Sequence, residues 1–308
     1  MSNTNFEFEV LIDDLFDNLK PDDFTLLPTD NKEVLSLVND FEDGSWRYEK
    51  FKEFVFKNLP ETALSKEERE SLVDFTKLRE ATKKLRLSDE HDSGKSGEVG
   101  EIILYGIMKN YYGALPIVPK IFYKQNRQDF AKGADSVHIV IENNDDFSLW
   151  LGEAKFYTNI SSAMNKAILS IQDLLSLEKL KKENSIITNL KDLDIYLENN
   201  PSLLNKIKSL LNQNTSIDNL KPKLHIPILL LHGCDITKNT TEMSEEYKNS
   251  IKIYHIEQAK NYFTKQINQL SSIHKYESIK FHLILFPVPE KKRIADNFIE
   301  TVSAIRSV

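Results

Sequence analysis

Three side chains of the 308-residue sequence are spaced for joint chemistry: Asp135 in Gly-Ala-Asp (133–135), with Glu153 and Lys155 in Trp-Leu-Gly-Glu-Ala-Lys-Phe (150–156). Side chains alternate along a strand. Glu153 and Lys155 therefore project from one face with Leu149 and Leu151, while Trp150, Ala154 and Phe156 face the other way. Asp135 precedes the apolar run Val137 to Ile141, and an acidic turn, Glu142 to Asp146, separates that run from the next. Antiparallel pairing through this turn brings Asp135 beside the Glu153–Lys155 pair. Two carboxylates offer hard oxygen donors. They suit Mg2+, with Mn2+ as its substitute, an ion that binds through one or two carboxylates and leaves its other positions to water and phosphate oxygen. Phosphodiester hydrolysis fits that shell, with the ammonium as a cationic partner. A Glu-x-Lys on a strand is ordinarily an exposed ion pair of little energetic weight. Here the strand is apolar on both faces, as a central strand is, and charges inside such a strand need partners or a metal.

Positioning these residues requires strands at Ile117 to Tyr123, Ser136 to Ile141 and Ser148 to Phe156, each bounded by turn or polar residues. A helix opens at Gly97-Glu98-Val99-Gly100-Glu101, with Val99, Ile102, Ile103 and Gly106 on one face. After the lysine, Met164, Ala167, Ile168, Ile171, Leu174 and Leu175 form the buried stripe of a long helix. Ser185 to Lys223 inserts polar helical material, with Pro201 at a helix start. The wholly apolar run Ile226 to His232 reads as a buried strand. A last strand at Lys280 to Phe286 is followed, after Pro289, by a closing helix with Ile294, Phe298 and Ile305 inward.

The first 90 residues read as a mainly helical region. A strand at Phe6 to Ile12 opens it, and Val34, Leu37, Val38 and Phe41 fit one helical stripe. Phe51, Phe54 and Val55 fit a second, stopped before Pro60. Ser65 with Glu68 is a capping box that opens a third helix, carrying Leu72, Phe75, Leu78 and Leu85. His91 to Gly97 reads as a linker. Its Gly-Lys-Ser is not a phosphate-binding loop, because Asp89 stands where the motif's first glycine belongs and no apolar strand leads in. The expected class is α/β (α+β), a central mixed sheet flanked by helices. The expected division is residues 1–90, a partner surface, and 91–308, which carries the chemistry with its insertion around 185–223.

Apolar content of 40% and charged content of 28% are ordinary for a globular protein. No apolar run reaches the ~18 residues of a membrane span, so no membrane partner and a cytoplasmic location are expected. Cys234 is the sole cysteine, which excludes a disulfide or a thiolate zinc cluster; on an apolar run it reads as packing. The net charge of −7 argues against strong intrinsic affinity for nucleic acid. A DNA-acting chain of this charge needs a local basic patch or a partner. Lys120, Lys124, Arg127 and Lys132 form one candidate patch; Lys83, Lys84, Arg86 and Lys95 form another. His138 points opposite to Asp135 along its strand and reads as packing rather than as a base.

Asp135 followed after one hairpin by Glu153-Ala154-Lys155 resembles the PD-(D/E)XK nuclease pattern of the restriction-endonuclease-like fold, with Ala134 in place of the proline. The order helix, three strands, helix, strand resembles that fold's core. Taken with Gly-Glu-Val-Gly-Glu at 97–101 and Lys-Gly-Ala-Asp at 132–135, most of the chain resembles the HamA family, nuclease subunits of the Hachiman antiphage defence system. The resemblance implies an Mg2+-dependent deoxyribonuclease that works with a helicase subunit, HamB-like, which engages DNA and restrains cleavage. It also implies one more carboxylate from the helix at 97, Glu101 or else Glu98. Gln172 matches half of a Gln-x-x-x-Tyr motif found in exonuclease-type relatives, Ser176 standing where the tyrosine would be. The alternatives are a non-catalytic module that docks to a partner or DNA, and a self-sufficient restriction-type endonuclease. Asp, Glu and Lys together speak against the first.

Overall fold

A computed structural model of the chain describes residues 6–19, 28–86, 97–119, 121, 133–143, 146–188, 191–212 and 214–308. Its centre is a seven-stranded mixed sheet. The strands are β1 (Glu9–Leu15), β2 (Lys32–Val38), β5 (Leu115–Val118), β6 (Ser136–Asn143), β7 (Asp146–Tyr157), β8 (Leu224–Gly233) and β9 (Lys280–Val288). Two short strands, β3 (Phe41–Glu42) and β4 (Ser45–Trp46), make a separate ribbon. The sheet order is β1-β2-β9-β8-β7-β6-β5. The inner strands β2, β9, β8 and β7 run parallel, and β1, β6 and β5 are antiparallel additions at the two sides. Parallel strands need both faces covered, and β8 and β9 are accordingly buried along almost their whole length.

Helices supply the two covers. One layer holds α2 (Tyr48–Ala63), α4 (Asp74–Lys83), α5 (Gly97–Asn110) and α13 (Lys291–Arg306), packed with Trp150, Ala154, Leu229 and Ile284. The other holds α6 (Ile160–Leu174), α7 (Leu177–Thr188), α8 (Lys191–Tyr196), α9 (Pro201–Leu210), α10 (Ile217–Leu220) and α12 (Glu245–Leu270), over Leu149, Leu151, Ile228 and Leu283. Short α1 (Phe16–Leu19), α3 (Lys66–Ser71) and α11 (Asp235–Lys238) complete the described helices. Pro201 does open α9, where Asn200 caps the helix by accepting the Leu203 amide. The Ser65 capping box is formed as the sequence predicts.

The N-terminal third departs from expectation. Residues 32–38 form a strand rather than a helix, because β2 lies between β1 and β9 and buries both faces, so its apolar residues lose the period of two. Among the described residues of this stretch, β1 and β2 extend the same sheet that carries Glu153. α2 runs one turn past Pro60, and the Leu64 amide returns to the Pro60 carbonyl at 2.9 Å. The third helix is broken into α3 and α4 at Leu72–Val73. β5 ends at Val118, and residues 122–123 of the predicted strand lie outside the described residues. The His91–Gly97 linker also lies outside them, apart from Gly97.

Five described histidines are buried in this fold: His138, His225, His232, His255 and His282. His232 Nδ1 stands 3.1 Å from the Gly233 carbonyl and donates to it, leaving Nε2 to accept from His255 Nε2 at 3.4 Å, and His255 Nδ1 to accept the Ser36 hydroxyl at 2.6 Å. Both rings are neutral in this chain. Burial pushes His232 down to about 4 and His255 well below its usual range, and it also lowers His138 and His225. A folded-state pKa below the unfolded value of about 6.5 gives stability that is complete above that pH and is lost as pH falls towards the folded value. Each such histidine removes about 1.4 kcal/mol per pH unit over that interval. We expect the melting temperature to fall steadily from pH 6.5 to 5, above the range where ordinary carboxylates titrate. Calorimetry showing a flat melting temperature there would exclude this source of acid lability.

Candidate active site

β6 and β7 form the hairpin expected from their alternation, with Ser136 opposite Gly152 and Val137 opposite Leu151. One step beyond Ser136, this register sets Asp135 against Glu153. The Asp135 amide donates to the Gly152 carbonyl at 2.8 Å, and Asp135 Oδ2 accepts the Ala154 amide at 3.0 Å. Lys155 Nζ donates to Glu153 Oε1. Ser170 of α6 supplies a further hydrogen bond to Glu153. Glu153 is 4% exposed, so the group lies inside the layer beneath α6 and opens towards solvent on the Lys155 side.

Beside it the sheet ladder has a gap. β7 and β8 pair at Trp150–His225 and again at Glu153–Ile228, but not between, where Pro227 has no amide to donate. A Cβ on Gly152 would collide with Ser136 Oγ and Leu104 and would meet Pro227 Cγ at 3.2 Å. Only glycine lets the three strands and α5 close at that point. The carboxylates thus stand on rigid strands immediately past a place where the backbone is freed from its neighbour.

Burial raises the Glu153 carboxyl well above the carboxylate range, and the negative charge of Asp135 adds to the rise; Lys155 and Ser170 oppose it. For Lys155, burial acts downward, yet Glu153 and Asp135 together hold the ammonium above the ordinary lysine range. One cation beside two carboxyl groups leaves the site short of positive charge. The donor set therefore fits a hard divalent ion: Glu153 is destabilised as an anion by burial and a like charge, and both effects are relieved by a cation.

Not every expected residue joins this group. Glu98 and Glu101 stand at the start of α5, which packs on the opposite face, where a Cβ on Gly100 would lie 3.5 Å from Ala154 Cβ. Among the described residues no three His, Cys, Asp or Glu come together as a metal cluster would need. Gln172 is exposed on α6; Ser170, which the sequence did not single out, is the α6 residue that reaches Glu153. His138 is buried against Tyr105, with ring centroids 5.0 Å apart, on the α5 side. Lys120, Lys124, Arg127, Lys132 and Lys95 lie outside the described residues. In the other basic patch Lys83 pairs with Glu80 at 2.7 Å and Lys84 with Glu68 at 3.6 Å, so those charges are already answered. Cys234 is buried beside Tyr247 and Ile251. No described helix is long and apolar enough to cross a membrane.

Compared with known protein families, the chain matches the sequence model of the family described as HamA over residues 13–302. No curated protein and no solved structure matches the chain.

Proposed function

The chain belongs to the HamA family, a component of the Hachiman antiphage defence system, and on that premise we propose that it is a metal-dependent DNA nuclease acting as effector beside a helicase subunit. The observation that carries this reading is the meeting of Asp135, Glu153 and Lys155 across the β6–β7 register, two carboxyl groups and one ammonium where burial disfavours the second anion. The order α5, β5, β6, β7, α6, then β8, with α5 and α6 on opposite faces, supports the reading of a restriction-endonuclease-like core.

Asp135 and Glu153 are the residues that would hold Mg2+, or Mn2+ in its place, since two protein carboxylates suffice for an ion that keeps waters and phosphate oxygens as its other ligands. When bound, the ion supplies Lewis acidity at the scissile phosphate and makes water a competent nucleophile at neutral pH. Lys155, kept charged by its two acidic neighbours, offsets negative charge as it grows on the phosphate oxygens in the transition state. Ser170 and Lys155 fix the Glu153 carboxyl; the Ala154 amide donates to the Asp135 carboxyl, and the Asp135 amide ties its backbone to Gly152. Preorganisation of this kind is what a strand-borne site provides. The charge of −7 makes weak, salt-sensitive binding the expectation for the chain alone, so the helicase holds the DNA.

The test is incubation of the purified chain with supercoiled and linear DNA in Mg2+, Mn2+ or EDTA, with and without the co-expressed helicase. Slow cleavage by the chain alone in either metal, its loss in EDTA, and control by the partner are expected. A folded chain that cuts nothing under any of these conditions would reject the reading in favour of a docking module.

A further inference from the structure

Asp135 is the last residue of a loop, Gly133-Ala134-Asp135, that enters β6. Under this loop lies Glu183 of α7, 2% exposed. Its Oε1 accepts the Ala134 amide at 3.1 Å, from 49 residues further along the chain. A Cβ on Gly133 would overlap that same carboxyl oxygen. Two successive residues of the loop are therefore shaped around one buried carboxyl group, the first by having no side chain and the second by donating its amide.

The position is costly. Leu180 and Ile187 are fully buried on the inward stripe of α7, and Glu183 lies between them at the spacing of one helical face. An apolar residue there would fill the core without the desolvation cost of a buried carboxyl group. What the carboxyl does that leucine cannot is grip a backbone amide one residue before a ligand. Residues 133 and 134 precede the strand, so this grip orders the backbone leading into Asp135, which itself bonds to Gly152 and Ala154.

We infer that Glu183 is a positioning residue for Asp135, acting through the Ala134 amide to hold the aspartate facing Glu153. The inference rests on the nuclease reading and adds to it a residue outside the acidic pair and the lysine. Partners that orient a metal ligand typically change metal affinity or activity by about 10- to 100-fold when removed.

The measurement is Mn2+ binding to the full chain by calorimetry, with DNA cleavage and thermal melting in parallel. Glu183→Ala is expected to weaken Mn2+ binding about 10- to 100-fold and to lower kcat without changing KM for DNA. Glu183→Gln keeps an oxygen that accepts the amide and is expected to stay within about threefold of the unaltered chain. Gly133→Ala leaves Glu183 in place but pushes the loop off it, and is expected to match Glu183→Ala. If Glu183→Ala does not fold, the contrast between Glu183→Gln and Gly133→Ala carries the test. Normal Mn2+ affinity in folded Glu183→Ala or Gly133→Ala overturns the inference, as does a Gln variant as impaired as Gly133→Ala. Absence of Mn2+ binding by the unaltered chain overturns the nuclease reading itself, a result obtained before any variant is made.

Discussion

Glu153→Ala, Lys155→Ala and Asp135→Ala are each expected to lower metal-dependent DNA cleavage by at least about 100-fold while leaving a folded chain. For the carboxylates the loss follows from removing half of a two-carboxylate ligand set, which should cost at least what removing a ligand's orienting partner costs. For Lys155 it follows from removing a preorganised cation where transition-state charge develops, an effect of about 10²- to 10³-fold for comparable donors. The folding control should pass, because Glu153 is strained as an anion: above the usual carboxylate range, burial and Asp135 both oppose its charge. Its removal relieves that opposition. Circular dichroism and melting, with cleavage of supercoiled plasmid, measure the two outcomes separately. Glu98→Gln and Glu101→Gln are expected to stay within about threefold of the unaltered chain, since α5 lies across the sheet and two carboxylates suffice. Full activity in all three alanine variants would remove Asp135, Glu153 and Lys155 from the chemistry, and a selective loss at Glu101 would put α5 back into it.

Deletion of residues 1–38 is expected to abolish folding rather than merely to loosen a partner complex. Phe8, Ile12, Phe16, Val34, Leu35, Leu37 and Val38 are all buried. At about 1.5 to 3 kcal/mol for each such side chain, their loss removes on the order of 10 kcal/mol or more, as large as the whole stability of a typical domain. It also bares the edge of β9, whose residues Phe281 to Leu285 pair with Lys32 to Ser36 of β2, and bare apolar edges aggregate. Expression of residues 39–308, followed by size-exclusion chromatography and melting, checks this. A monomer with a cooperative transition would show that the N-terminal strands are dispensable.

The β6–β7 hairpin and its acidic pair were legible because both strands keep a recognisable alternation and a polar turn fixes their register within a short stretch of chain. β8 was legible for the opposite reason: it is buried on both faces and shows no alternation at all. β2 is buried in the same way, yet its seven residues include Lys32, Glu33 and Ser36, which broke the apolar run into spacings that imitate a helix. α12, the 26-residue helix over the site layer, left little trace because its inward stripe includes His255, Ala259 and Gln266 beside Tyr262 and Phe263. Ser170 and Glu183 could not be read at all. Their roles depend on where α6 and α7 settle after the hairpin has formed, and no local pattern records that.

The sheet order has a consequence for synthesis. β6 and β7 can pair as soon as both have left the ribosome, whereas β7 gains its parallel neighbour only with residues 224–233, and β2 gains its own only with residues 280–288. Parallel pairing across such separations is slow and follows local pairing. The acidic hairpin therefore exists for a time as an open, wet ribbon, in which Glu153 lacks the cover of α6 and the parallel neighbour β8. The candidate site is thus incomplete while the chain is being made, and β1 and β2 wait for the last strand of the sheet, β9, before β2 has its parallel neighbour.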